Sequence, residues 1–164
     1  MKSPPLPDNE ALRLKTLHDL QALDTLPDAE LDRLTEFAAH VFNVPIALIS
    51  LVDSDRQWFK SRVGLDAEQT SRDISFCGHA ICQEDVFVID NATKDERFFD
   101  NPLVTDGLKI RFYAGCPLRH PNGCNMGTLC LIDSEPREFN EHDASILQQV
   151  AEDVVERLLK LARP

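Results

Sequence analysis

Leu14, Leu17, Leu20 and Leu23 recur at threes within "EALRLKTLHDLQAL", the spacing of one helix face, and Asp8 or Asn9 is placed to cap the start. "DTLP" interrupts this pattern, and Pro27, Asp28 and Glu30 suit the first turn of a second helix with Leu31, Leu34, Ala38, Val41 and Phe42 on one face. "PIALISLV" is apolar on both faces and rich in strand formers, which predicts a central strand. "DSDR" turns the chain into "QWFKSRV", its expected hairpin partner and an expected edge strand, with Trp58 on the core side and Phe59 facing solvent or a partner, or the reverse. From Gly64 to about Lys109 only "VFVID" reads as a strand. The apolar runs "IRFYAGCPL" and "MGTLCLID" flank "RHPNGC", whose Asn-Gly pair predicts a second hairpin. A long helix from Glu141 to Ala162 closes the chain, with Asn140 as its cap. Its apolar arc from Leu147 to Ala162 is wider than one core contact needs, which predicts two neighbours for one face.

Helices at both ends of antiparallel hairpins imply an α+β domain, one sheet face covered by helices and the other by the long excursion of residues 64–110. A length of 164 residues with 43% hydrophobic content fits one domain with a sizeable core. It is expected to span residues 10–164 behind a disordered, Pro-rich tail of residues 1–9. A formal net charge of −11 and a pI of about 4.8 argue against phosphate-backbone binding, so nucleic acid is not an expected partner. The N-terminus has no apolar signal core and "PIALISLV" is too short to span a bilayer, so no membrane association is expected and the chain is read as cytoplasmic. Five cysteines, an odd number, fit a reducing compartment better than a disulfide framework.

Candidate chemistry concentrates in "SFCGHAIC". A metal reading would use Cys77, His79 and Cys82 with Cys116, His120 or Cys124, but the four-residue gap between Cys77 and Cys82 lies outside the usual zinc spacing. A nucleophile reading needs a helix N-terminus or a cation beside Cys77. The packing reading has Ser75 capping a short helix, Phe76, Ala80 and Ile81 turned inward, and Gly78 permitting a close approach. On the strand "IRFYAGCPL", Arg111, Tyr113 and Gly115 share a face opposite Phe112, Ala114 and Cys116. Arg111 either orients a ligand or pairs with an acid of the excursion such as Asp90 or Asp95.

In their order, "EALRLKTLHDLQALDTLPDAELD", "PIALISLVDSDRQWFKSRVGL", "RDISFCGHAI", "NPLVTDGLKIRFYAGCPL" and "GTLCLIDSEPREF" resemble the GAF family of small-molecule sensory domains from about Glu10 to Leu161. The resemblance implies a six-stranded antiparallel sheet, N- and C-terminal helices on one face, and a pocket under the long crossover on the other. It implies a non-catalytic input module for an output domain or partner such as a diguanylate cyclase, histidine kinase or phosphodiesterase, with terminal helices that pair in a homodimer. An unidentified small ligand would contact His79, Cys77, Arg111 and Tyr113, with Phe76, Phe98 and Phe99 as apolar lining, and no cofactor is expected. The adjacent Cys-His of bilin-binding members is broken here by Gly78, and the cyclic-nucleotide signature is absent. A thiol-dependent reductase of free methionine sulfoxide, using Cys77 with Cys82 or Cys116, is the enzymatic alternative; a dimerisation module with a collapsed pocket is the other.

Overall fold

The computed structural model describes residues 1–162, and its six strands form one sheet in the order β3-β2-β1-β6-β5-β4, every neighbouring pair antiparallel. The strands are β1 (Ile46–Val52), β2 (Arg56–Val63), β3 (Gln69–Ser71), β4 (Phe87–Ile89), β5 (Phe112–Arg119) and β6 (Asn125–Asp133). The helices are α1 (Glu10–Asp19), α2 (Ala29–Phe42), α3 (Phe76–Ala80), α4 (Pro102–Thr105) and α5 (Glu141–Ala162).

Side-chain alternation sorts the sheet into two cores. Ala47, Ile49 and Leu51 of β1, Phe112, Ala114, Cys116 and Leu118 of β5, and Leu129 and Leu131 of β6 face the layer built from α1, α2 and α5. Ile46, Leu48, Tyr113, Cys130 and Ile132 face the excursion, where they meet Phe76, Ile81, Phe98 and Ile110. Helices on one side and the crossover on the other are what the sequence pattern implies.

Both flanks of α5 are used inside the chain. Leu147, Val150, Ala151, Val154 and Leu158 are buried, Val155 and Leu159 pack against the same core, and the helix touches both α2 and β5. Asn140 caps it, its side chain accepting from the Asp143 amide at 2.9 Å while the Asp143 carboxylate accepts from the Asn140 amide at 3.0 Å. The two neighbours expected of this helix are therefore met without a second chain.

The structure departs from three sequence expectations. Helix α1 stops at Asp19, and Gln21 takes a left-handed backbone conformation that swings the chain away before Leu23 can extend the helical row. Strand β2 is not an edge: the short polar β3 pairs with it, and both Trp58 and Phe59 are buried, one on each face. Helix α2 exposes Val41. Residues 2–5 cross α3, where a proline ring and backbone carbonyls find partners.

Candidate functional site

The entry into α3 is fixed locally. Ser75 Oγ donates to the Arg72 carbonyl at 2.7 Å and accepts from the Gly78 amide at 3.0 Å, closing the first turn of the helix. With that start, Cys77 lies against the sheet. Its sulfur accepts hydrogen bonds from the Tyr113 hydroxyl and the Thr128 hydroxyl, each at 3.1 Å, and lies 3.9 Å from the sulfur of Cys130. Burial resists ionisation of Cys77, but the bonds from Cys130, Thr128 and Tyr113 outweigh it and draw the thiol down to about 7. Cys130 moves the opposite way, well above the ordinary thiol range, because its contact with Cys77 and its burial both disfavour a charge on it. Burial, with the neighbouring Cys77 charge, also keeps Tyr113 protonated.

Tyr113 reaches the thiol by lying along its own strand. A Cβ at Gly115 would stand 2.3 Å from the Tyr113 hydroxyl, and Cys130 is directly opposite Gly115 in the β5–β6 register. Gly115→Ala is therefore expected to push the hydroxyl off Cys77, raise the thiol's pKa and cost about 1–3 kcal/mol by overpacking. Tyr113→Phe removes the same donor without the crowding. Thiolate absorbance followed against pH in both variants checks the assignment: an unshifted curve in Tyr113→Phe removes Tyr113 as a donor.

His79 stands at the rim. Its Nε2 is 3.2 Å from the Lys2 carbonyl, which only accepts, so Nε2 carries the hydrogen. The ring meets Phe98 edge-on at 4.8 Å, and burial lowers its pKa, which keeps it neutral at pH 7. Phe98 in turn stacks on Phe76 at 4.0 Å. Above these rings Arg97 lies 5.0 Å from the Phe87 centroid and 5.4 Å from that of Phe98, held by both carboxylate oxygens of Asp95 at 3.0 and 2.8 Å.

The N-terminal segment closes this rim. The Lys2 amide donates to the Arg97 carbonyl at 3.1 Å, the Lys2 carbonyl accepts from His79, and the Pro4 ring sits where a Cβ on residue 78 would be, 2.7 Å from its Cγ. The glycine between Cys77 and His79 is thus the groove in which that segment lies.

The pattern of the GAF domain family matches residues 27–158. The chain belongs to the GAF family. It is 43% identical over 159 residues to a cyclic di-GMP phosphodiesterase of Pseudomonas aeruginosa, a match covering 96% of this chain but only 27% of that protein. Among solved structures it is similar to the GAF domain of an Acinetobacter phosphoenolpyruvate-protein phosphotransferase (TM-score 0.63, 21% identity, 92% of each chain). It is also similar to free methionine-R-sulfoxide reductase of Neisseria meningitidis in complex with its substrate (TM-score 0.65, 20% identity, 99% of this chain and 97% of that one). A far-red cyanobacteriochrome photoreceptor matches with TM-score 0.65 and 16% identity, over 94% of this chain and 100% of that one. At such identities these structures share the fold alone.

In this GAF domain Phe76, Cys77, His79, Phe98 and Tyr113 come together between sheet and excursion, and their side chains fill the space they occupy. Phe99 does not join them: it is 54% exposed, because consecutive residues of the tight turn after Asp95 diverge and only Phe98 points inward. Arg111 stands just ahead of β5 and spends its guanidinium on the carbonyls of Val104 and Ile110, at 3.0 and 3.1 Å, while Asp95 is taken by Arg97. It ties α4 to the sheet, which neither of its two sequence readings foresaw. Cys116 is on the opposite sheet face, where burial pushes its thiol up to about 12, and Cys82 faces an open groove beside Pro5 and Arg119. Neither is placed to serve Cys77. The residues that do serve it, Thr128 and Cys130, are two apart on β6, so their common face was available from the period of the strand once the hairpin was aligned on its Asn-Gly turn.

Proposed function

We propose that this GAF domain is a non-catalytic sensory module that binds a small molecule between the sheet and residues 64–110 and regulates an output domain or partner. The carrying observation is the content of the excursion-side core. Cys77, His79, Tyr113 and Thr128 bring hydrogen-bonding and titratable groups to one place between the sheet and the excursion. Interior polar groups of this density suit recognition better than simple packing. The rings occupy the space they line, so a ligand enters by selecting a conformation in which Phe98 and the Lys2–Pro5 segment have moved. That segment runs directly into α1, which gives occupancy a mechanical route to the helical layer.

The cyclic di-GMP phosphodiesterase that shares this region at 43% identity over 27% of its length supports an output of that kind, alongside diguanylate cyclase or histidine kinase. A cytoplasmic setting and a homodimer belong to the same reading. Leu26 and Leu161, 85% and 45% exposed, line one groove with Leu20 and Leu158 at the ends of α1 and α5, and this groove is the proposed dimer contact. Among the described residues no helix is long and apolar enough to cross a membrane.

Native mass spectrometry of freshly purified protein tests the reading. A non-covalent small-molecule adduct is expected on the wild type, diminished in His79→Ala. Protein free of adduct both as the full chain and with residues 1–6 deleted counts against a ligand site.

A further inference from the structure

Cys77 and Cys130 are far apart in sequence, buried, and in sulfur-to-sulfur contact at 3.9 Å. A disulfide bond is ~2.05 Å long, so bonding asks for an approach of about 2 Å, within reach of a side-chain rotation. The two cysteines differ in how firmly they are held. Cys130 is on β6, paired on one side with Leu48 of β1 and on the other with Gly115 of β5. Cys77 is on a helix of five residues. The site is also chemically polarised. The hydroxyls of Tyr113 and Thr128 both point at Cys77, so the negative charge of a thiolate is stabilised on that sulfur and not on its partner.

We infer that Cys77 and Cys130 form a peroxide-responsive dithiol that closes to an intrachain disulfide and pins α3 to the sheet. The Cys77 thiolate attacks the distal oxygen of a hydroperoxide, forming an S–O bond as the O–O bond breaks, and the departing alkoxide or hydroxide takes a proton to leave as alcohol or water. Cys77 is then a sulfenic acid. Cys130, losing its proton, attacks that sulfur; the S–S bond forms and the hydroxyl leaves as water. Two thiols are oxidised by two electrons and one hydroperoxide is reduced. The step needs no bound ligand and stands independently of the sensory reading. Its consequence is structural: the disulfide fixes the helix that presents His79 to the Lys2 carbonyl.

Trypsin separates the participants. The peptide from Asp73 to Lys94 holds Cys77 and Cys82, that from His120 to Arg137 holds Cys124 and Cys130, and Cys116 falls in neither. In a Cys82→Ser/Cys124→Ser background each of these peptides carries one cysteine. After hydrogen peroxide the two peptides are expected joined, two hydrogens lighter than their sum, and separated again by a reductant. Adding Cys130→Ser is expected to abolish the link and leave a sulfenic acid on Cys77 that dimedone captures. The unsubstituted chain, mapped by fragment ions, gives the same link should a substituted chain fold poorly. Peroxide-treated wild type in which Cys77 and Cys130 both remain free to alkylation after unfolding overturns the inference, as does a link from Cys77 to any other cysteine.

Discussion

Glu10→Gln is expected to destabilise the fold by roughly 3–5 kcal/mol, the range for breaking a buried ion pair by removing one partner. For a chain of this size that is a fall in melting temperature of roughly 6–20 °C. Glu10 is the carboxylate shared by two buried guanidiniums: Arg13 donates at 2.7 Å through Nε, and Arg72 at 2.9 Å through Nη2. The Arg13 side chain is 0% exposed and that of Arg72 5%. Each arginine also donates to a backbone carbonyl, Arg13 to Val52 at 2.7 Å and Arg72 to Asp53 at 2.9 Å, so neither can withdraw to water without losing the hairpin. Neutralising Glu10 leaves two like charges facing each other in the interior. Arg13→Leu is expected to cost less, because the Glu10–Arg72 pair survives. Urea unfolding of the three proteins checks the order.

The pH dependence carries a second signature of the same cluster. Burial pushes the Glu10 carboxyl upward, but the bonds from Arg72 and Arg13 prevail and hold it below its ordinary value of 4.5. The unfolded chain therefore takes up this proton first on acidification. The contribution is complete above about pH 4.5 and is lost as pH falls from there through the lower folded pKa. Glu10→Gln should lack this part of the acid slope; a mutant with wild-type stability and an unchanged slope would falsify the cluster's role. The functional interest is positional. Glu10 opens α1, Arg72 lies in the turn that delivers Ser75 to the cap of α3, and residues 2–5 cross that same helix, so the ion cluster joins the helical layer to the rim of the proposed ligand site.

The fate of Arg13 shows where sequence pattern stops informing. The buried positions of α1 are Arg13, Thr16 and Leu17, continued by Leu20 at the cap, a helical stripe in which a charge stands where an apolar residue is expected. Leucines at threes betray the helix but not the arginine, because the Val52 carbonyl it bonds and the Arg72 that shares Glu10 with it are met only when α1 is laid across the β1–β2 turn. The two hairpins and α5 were legible because their signals are local: an Asn-Gly turn, alternation, a capping asparagine. So was the sharing of a face by Tyr113 and Gly115. The pairing of Cys77 with Thr128 and Cys130 needs α3 laid over β6, which no local pattern specifies. Choosing Phe98 over Phe99 needs a turn geometry, and the course of residues 2–5 needs a proline ring matched to a distant glycine.

Val154→Glu, read from the wide apolar arc alone, looks like a probe of dimerisation; in this fold it is expected to unfold the chain. Val154 is 0% exposed in the core shared by α5, α2 and the sheet. The substitution forfeits about 1.5–3 kcal/mol of burial and adds the cost of a carboxylate in apolar surroundings, several kcal/mol more. Against a typical stability of about 5–15 kcal/mol, little remains. Leu26→Glu with Leu161→Glu is the informative pair. Both leucines are exposed and line one groove, so the folding cost is expected to stay within about 0.5 kcal/mol per site. Analytical ultracentrifugation then separates the causes. Loss of dimer in the double variant with unfolding midpoint preserved places the interface at the groove that Leu26 and Leu161 line. An unchanged sedimentation coefficient in a dimeric wild type moves it elsewhere. Val154→Glu loses both properties together, because the residue that holds α5 to its own sheet cannot report on what α5 offers to another.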